Sequence, residues 1–313
     1  MDAYDGLSQS GSEGAQALLR NAEATSAPPA FEIVQPDGCE PGYPSSPLVF
    51  ASPHSGRHYP ASLLEQTALD GSAIRCSEDA YVDRLIAGSA SFSAVTILAR
   101  YARAYVDVNR EAYELDPAMF EDDLPVFARA RSARVAAGLG SIPRVVSEGQ
   151  EIYHGKLTFA DARARIESVH QPYHRALARL LDQARAAFGK TILIDWHSMP
   201  SGAAGEGPYG RKGCDMVLGD RFGSACSSVL TRMVDDALSG LGFRVARNAP
   251  YAGGYTTEFY GRPESGTHAL QIEINRALYL NESTLTPHAG FARLQRDLDR
   301  LFKLLERDWR RVP

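Results

Sequence analysis

Apolar residues run through this chain in short, punctuated blocks with two competing periods. The clearest block, Ile192-Leu193-Ile194-Asp195-Trp196-His197-Ser198-Met199-Pro200, follows Gly189-Lys190 and gives way to a loop with five glycines over 202–213. Aliphatic and β-branched runs bounded by turn signals read as strands buried on both faces. Leu48-Val49-Phe50-Ala51-Ser52 is a second such run. It enters Pro53-His54-Ser55-Gly56, where the glycine permits close approach of a backbone or a ligand. Shorter runs predict strands at 31–34, 94–98, 216–219, 243–246 and 268–276, and alternation predicts one at 104–110 ending in Asn109-Arg110.

Helical spacing fills the intervals. Over 158–188, Ile166, Val169, Tyr173, Leu177, Leu180 and Leu181 recur by threes and fours, and 61–70, 221–239 and 283–308 read as further helices. Ser77 is a candidate N-cap for another, with Glu78 and Asp79 as acids in its first turn. Residues 111–145 are loop-rich, and Gly253-Gly254 hinge a loop that carries Tyr255 and Thr256. Residues 1–30, rich in Ser, Ala, Gly and Glu, read as a flexible segment with at most a helical turn or two at 15–24. No repeat or second boundary divides 31–313, which reads as one catalytic domain. Strands alternating with helices imply a single α/β domain with a mixed, mostly parallel sheet flanked by helices.

Composition narrows the function classes. The chain has 313 residues, 44% hydrophobic and 23% charged, which suits a soluble globular protein. A net charge of −5 with no basic block argues against nucleic acid or an anionic membrane as main partner. Cys39, Cys76, Cys214 and Cys226 have no CxxC spacing, so a reducing cytoplasm is the default. The acidic start Met1-Asp2-Ala3-Tyr4-Asp5 has no apolar signal core, and no stretch is long enough to span a bilayer.

In open α/β sheets, function gathers at the carboxyl ends of strands. Here those ends carry His54, Asp195 with His197, Glu273, and Asn109-Arg110. Asp195 and His197, two residues apart, share a strand face, so the imidazole can bind a metal while the carboxylate orients it. Two histidines, one carboxylate and an open position for water form a usual catalytic zinc set. A separate Glu is then the expected general base, and an Arg the holder of a substrate carboxylate. Glu273 lies between apolar neighbours, where a carboxylate is costly unless paired or functional. His170 and His174 stand one helical turn apart, but without an HExxH-like acid they read as plain helical surface.

Five segments together resemble the N-formylglutamate amidohydrolase family. They are Ser52-Pro53-His54-Ser55-Gly56 with Tyr59-Pro60, Val106-Asp107-Val108-Asn109-Arg110, and Ile194 to Pro200. The others are Gly254-Tyr255-Thr256-Thr257-Glu258-Phe259-Tyr260-Gly261 and Ala269 to Tyr279, and the match runs in order from about residue 48 to the end. The resemblance implies a zinc carboxypeptidase-like (phosphorylase/hydrolase-like) fold. It also implies zinc-dependent hydrolysis of N-formyl-L-glutamate to formate and L-glutamate, as in histidine breakdown. It implies His54 and His197 as ligands of one Zn2+. Zinc carboxypeptidases carry a Glu three positions after the first ligand; Arg57 stands there, so the carboxylate is expected from Asp79, with Glu78 as the alternative. Glu273 matches the catalytic Glu, Asn109 and Arg110 match the pair that grips a substrate carboxylate, and Arg103 is expected to polarise the scissile carbonyl. The substrate is a dicarboxylate, so Arg276 or Arg262 is expected to meet its side chain, while Tyr255 and Thr256 either close over it or form a turn with buried aromatics. Rival readings are another N-acyl amino acid or a peptide terminus as substrate, or a binding protein that keeps the fold without catalysis. Nothing in the sequence sets an oligomeric state.

Overall fold

The structure, a computed structural model, describes residues 27–40, 42–146, 149–207 and 211–313. The expected flexible N-terminus therefore lies outside the described residues up to position 26, as do 208–210 of the glycine-rich loop. The described chain forms two compact units interleaved in sequence. One comprises the chain up to Glu32, Gly56–Glu78 and Ala99–His174; the other comprises Ile33–Ser55, Asp79–Leu98 and Arg175–Pro313.

The second unit carries nearly all of a seven-stranded sheet. Its strands are β1 (Phe31–Val34), β2 (Leu48–Ser52), β3 (Val95–Ala99), β4 (Thr191–Met199), β5 (Met216–Gly219), β6 (Val245–Arg247) and β7 (Thr267–Asn275). They lie in the order β1-β3-β2-β4-β7-β5-β6. The pairs β2/β3, β2/β4, β4/β7 and β5/β6 are parallel, and β5/β7 is antiparallel. This is the mixed, mostly parallel α/β sheet that the alternation of elements implies.

Period-two alternation splits the two central strands between faces. Ile192, Ile194 and Trp196 of β4 and Leu270, Ile272 and Ile274 of β7 join one apolar core with Leu48 and Phe50. Helices Ser228–Gly240 and Gly290–Asp308 feed Leu230, Val234 and Leu238, and Leu294, Leu298, Leu301 and Phe302, into the same core. Trp196 packs edge-on between Phe50 and Phe302, with centroids 5.6 Å from each. Each such side chain, fully buried, contributes about 1.5–3 kcal/mol. The opposite face of the same strands carries Asp195 and His197, in register with Gln271 and Glu273.

The first unit is built from short elements around Tyr59, Leu63, Ile74, Ala102, Ala104, Val146 and Ile152. Buried Arg165 ties it together. Its Nη1 donates to the Tyr153 hydroxyl at 2.8 Å, its Nη2 to Gln66 Oε1 at 2.8 Å, and its guanidinium lies over the Tyr105 ring.

Several elements differ from the sequence expectation. Residues 104–110 form turns rather than a strand: the Asp107 N–H donates to the Ser141 carbonyl, and the Asp107 carboxylate accepts from the Asn109 N–H at 2.8 Å. The apolar alternation there reflects burial within the unit, not a pleat. Ser77 ends a 3-10 turn, and the next helix, Val82–Leu85, starts from Tyr81 in the left-handed region at φ 63°. The long helix begins at Phe159 behind its Thr158 cap as expected but is interrupted by a π turn, Ile166–His170, before Gln171–Phe188. Helix 61–70 stops at Gln66, and helix 221–239 starts only at Ser228. The strand expected at 243–246 is Val245–Arg247, and the closing helix starts at Gly290, after the short pairing of Leu280–Asn281 with Thr286–Pro287. Tyr255 and Thr256 open a helix, Tyr255–Tyr260, rather than a loop. Among the described residues no helix is long and apolar enough to cross a membrane.

Candidate active site

The site grows from the carboxyl ends of β2 and β4. His54 stands two residues beyond β2, and its carbonyl accepts the Asp79 N–H at 3.0 Å, which docks the Asp79 turn beside it. His197 lies within β4, directly opposite Glu273 of β7. All four side chains are buried.

One carboxylate oxygen gathers both imidazoles. Asp79 Oδ2 is 3.0 Å from His197 Nδ1 and 3.4 Å from His54 Nδ1, with the two rings 4.8 Å apart. On its other side His197 Nε2 lies 3.0 Å from Asp195 Oδ2. Burial opposes a charge on His197, but Asp195 and Asp79, with Glu273 near, outweigh it and hold its pKa well above the usual value. Burial alone would likewise raise Asp79, yet its hydrogen bonds with His197 and His54 hold it well below the carboxylate range.

The other oxygen of Asp79 is anchored. Arg276 Nη2 reaches Asp79 Oδ1 at 3.3 Å, Ser198 Oγ reaches it at 3.4 Å, and Arg276 Nε donates to Ser198 Oγ at 3.1 Å. The Tyr279 hydroxyl donates to the neighbouring Ala80 carbonyl at 2.9 Å. Arg276, expected from the sequence to meet substrate, is thus buried against Asp79.

The donor set fits a divalent ion of zinc type. Ligand atoms of His54, Asp79 and His197 all lie within 4.8 Å of one another. The two separations from Asp79 Oδ2 match the edge of roughly 3.3 Å expected between tetrahedral ligands at zinc–ligand distances of about 2.0–2.1 Å. Asp195 on the far nitrogen of His197 has the relation that fixes a ligand histidine's tautomer and orientation. Glu78, the alternative ligand, is committed elsewhere: it accepts from the Tyr59 hydroxyl at 2.6 Å and from Arg75 through both oxygens.

Glu273 is 6% exposed and accepts from Gln271 Nε2 at 2.8 Å. Gln271, opposite Asp195 in the sheet, went unnoticed in the sequence; its signal was the polar spacing Gln271, Glu273, Asn275 in an otherwise apolar strand.

The remaining expected residues fall in two places. Arg103, Asn109 and Arg110 belong to the first unit. There Asp107 Oδ2 accepts from Arg103 Nη2 at 2.6 Å and lies 3.9 Å from Arg110 Nη2, while Arg110 Nε and Nη1 donate to the Leu139 and Asn109 carbonyls. Burial lowers the Arg110 pKa, which Asp107 opposes and Arg103 reinforces. Thr256 is fully buried, and the Tyr255 ring stacks on Phe259. Arg262 donates to the Glu258 and Gly261 carbonyls, closing the end of its helix. His170, expected on a solvated surface, is buried, because both it and His174 bond to main-chain carbonyls.

Gly56 repays the sequence reading of close approach. A Cβ there would stand 2.2 Å from the Tyr101 carbonyl oxygen, beside the parallel bridge of His58 with Tyr101. Backbone on both sides leaves no flexible atom to yield. Gly56→Ala is expected to cost about 1–3 kcal/mol of stability, measured by urea denaturation; an unchanged midpoint would show that this bridge yields freely.

The family model for N-formylglutamate amidohydrolase matches residues 46–280. N-formylglutamate deformylase of Pseudomonas aeruginosa is 29% identical over 242 residues, covering 75% of this chain and 83% of that protein. The deformylase of Pseudomonas putida is 27% identical over 240 residues, with 76% and 83% covered. The crystal structure of N-formylglutamate amidohydrolase from Ralstonia eutropha superposes with a TM-score of 0.83 at 36% identity, covering 90% of this chain and 99% of that one. With a site whose buried histidines, acids and glutamate lie in the segments that the family model spans, the chain belongs to the N-formylglutamate amidohydrolase family.

Proposed function

We propose that this protein is a zinc-dependent deformylase that hydrolyses N-formyl-L-glutamate to formate and L-glutamate, a reaction of histidine breakdown. The observation that carries the reading is the buried His54–Asp79–His197 cluster with Glu273 in register beside it, in a chain of this family. His54, Asp79 and His197 would hold a zinc ion, which when bound would supply Lewis-acid chemistry to the formyl group and a water of lowered pKa. Glu273 takes a proton from the attacking water as oxygen adds to the formyl carbon. It returns that proton to the amine nitrogen as the C–N bond breaks, so formate and an amino acid leave. Asp195 keeps the His197 ring oriented, and Arg276 with Ser198 keeps the Asp79 carboxylate aimed at both imidazoles.

Arg103 takes charge from the oxyanion, and Arg110 with Asn109 holds a substrate carboxylate. Among the described residues Arg110 Nη2 makes no hydrogen bond, and its nearest acid, Asp107, is shared with Arg103, which supports an anion as its partner. The Arg276 and Arg262 contacts favour other tasks for those two cations.

Chelation should abolish hydrolysis of N-formylglutamate, and zinc or cobalt should restore it, with formate release as the readout. No turnover with either metal would end the proposal. In Arg110→Ala, KM should rise by about 10- to 100-fold with kcat little changed, the loss expected for one charge-assisted pair. An unchanged KM would remove Arg110 from substrate binding.

A further inference from the structure

The part of the long helix up to His174, which lies in the first unit, holds the Tyr105–Arg110 segment by three side chains, none of which the sequence singled out for this task. Arg165 Nη1 reaches the Tyr105 carbonyl at 3.4 Å while its guanidinium covers the Tyr105 ring, 4.6 Å from its centroid. His170 Nε2 lies 2.8 Å from the Arg110 carbonyl, and His174 Nε2 lies 2.7 Å from the Val108 carbonyl. A carbonyl only accepts, so both imidazoles carry their proton on Nε2. Burial and the adjacent His170 push the His174 pKa down to about 3, which keeps that ring neutral and its tautomer fixed.

An ordinary α-helix cannot present these three residues together. At about 100° per residue, Arg165 and His174 would stand about 180° apart. The π turn Ile166–His170 lies between them and takes up one extra residue. That reduces their separation to about 80° and sets His170 between them at about 40°. The interruption is what turns a guanidinium and two imidazoles onto one side. That side meets the segment whose last residue is Arg110.

We propose that the π turn with His170 and His174 is a positioning device for Arg110, fixing the backbone from which its guanidinium takes a substrate carboxylate. This rests on the assignment of Arg110 under the proposed function. His170 and His174 touch no substrate in this reading; they act through the Val108 and Arg110 carbonyls.

The test is a double-mutant cycle on the zinc-loaded full chain with N-formylglutamate. His170→Phe and His174→Phe, each alone, should raise KM several-fold with kcat within about twofold. His170→Gln and His174→Gln, which keep an Nε2 donor, should recover most of the lost affinity. In an Arg110→Ala background the Phe substitutions should raise KM no further, because the residue they position is gone. A rise in KM that persists in that background, or a fall in kcat and melting temperature with KM unmoved, would overturn the proposal and leave the histidines as packing groups. If a Phe variant fails to fold, the Gln variants decide: KM equal to the parent's with Gln and raised with Asn, too short to reach the carbonyls, supports the device, and equal KM in both refutes it. Should Arg110→Ala itself leave KM unchanged, the assignment of Arg110 fails, a result distinct from additivity in the cycle.

Discussion

Glu273→Gln should load zinc as the parent does and hydrolyse N-formylglutamate some 10²–10⁴ times more slowly, the range expected when a general base is removed. The substitution is nearly isosteric. It retains an oxygen to accept from Gln271 Nε2, whose bond to Glu273 spans 2.8 Å, so the strand register with His197 survives. What it removes is a buried carboxylate that, in the proposed site, neither holds the ion nor orients a residue that does. With kcat as the readout and metal content measured in parallel, a variant with full activity would strip Glu273 of its role. A variant that lost its metal would make Glu273 part of the ion's cradle instead.

Asp79→Ala should have the second large effect, on both metal and stability. The parent carboxylate faces two imidazoles through Oδ2 and Arg276 through Oδ1. Its removal withdraws a proposed ligand and leaves a buried guanidinium and the His197 ring without their shared acid. Breaking such a buried pair from one side costs about 3–5 kcal/mol. The expected results are loss of bound zinc by elemental analysis and a lower urea midpoint for the metal-free variant than for metal-free parent. Stoichiometric zinc in the variant would move the ligand role away from Asp79.

The sheet was legible because a buried parallel strand leaves a plain trace. Runs such as 48–52 and 192–199 are almost continuously apolar, buried on both faces and bounded by turn signals, and the polar Asp195 and His197 stand out where they break the second run on one face. The order of the strands, and hence the pairing of His197 with Glu273, is a tertiary fact that no local pattern states. The preference for Asp79 over Glu78 came from the family resemblance, because no local pattern separates two adjacent acids. The two differ in their partners: Glu78 accepts from Tyr59 and Arg75, whereas the Asp79 N–H docks on the His54 carbonyl and its carboxylate faces both imidazoles.

Other features defeated sequence reading for a different reason. Arginines look alike in a sequence, and only burial separates Arg276, set against Asp79, from the partly exposed Arg103 beside Asp107. The π turn adds one residue to a pattern otherwise true to 3.6, so it shifts the phase of the helix beyond it without erasing the periodicity. His170 and His174 read as solvated for want of an accompanying acid, although His170 lies inside. At 104–110 the alternation was real but belonged to a coil held by Asp107 and the Ser141 carbonyl.

The Asp79 carboxylate links points very far apart along the polypeptide: His197 lies 118 residues downstream and Arg276 lies 197. In the proposed metal site, a nascent or half-assembled chain has nowhere to lodge the ion, since no short fragment contains more than one of these groups. Under the proposed metal assignment, binding of the ion is coupled to completion of the fold, and a urea-unfolded chain should hold zinc far more weakly than the folded one.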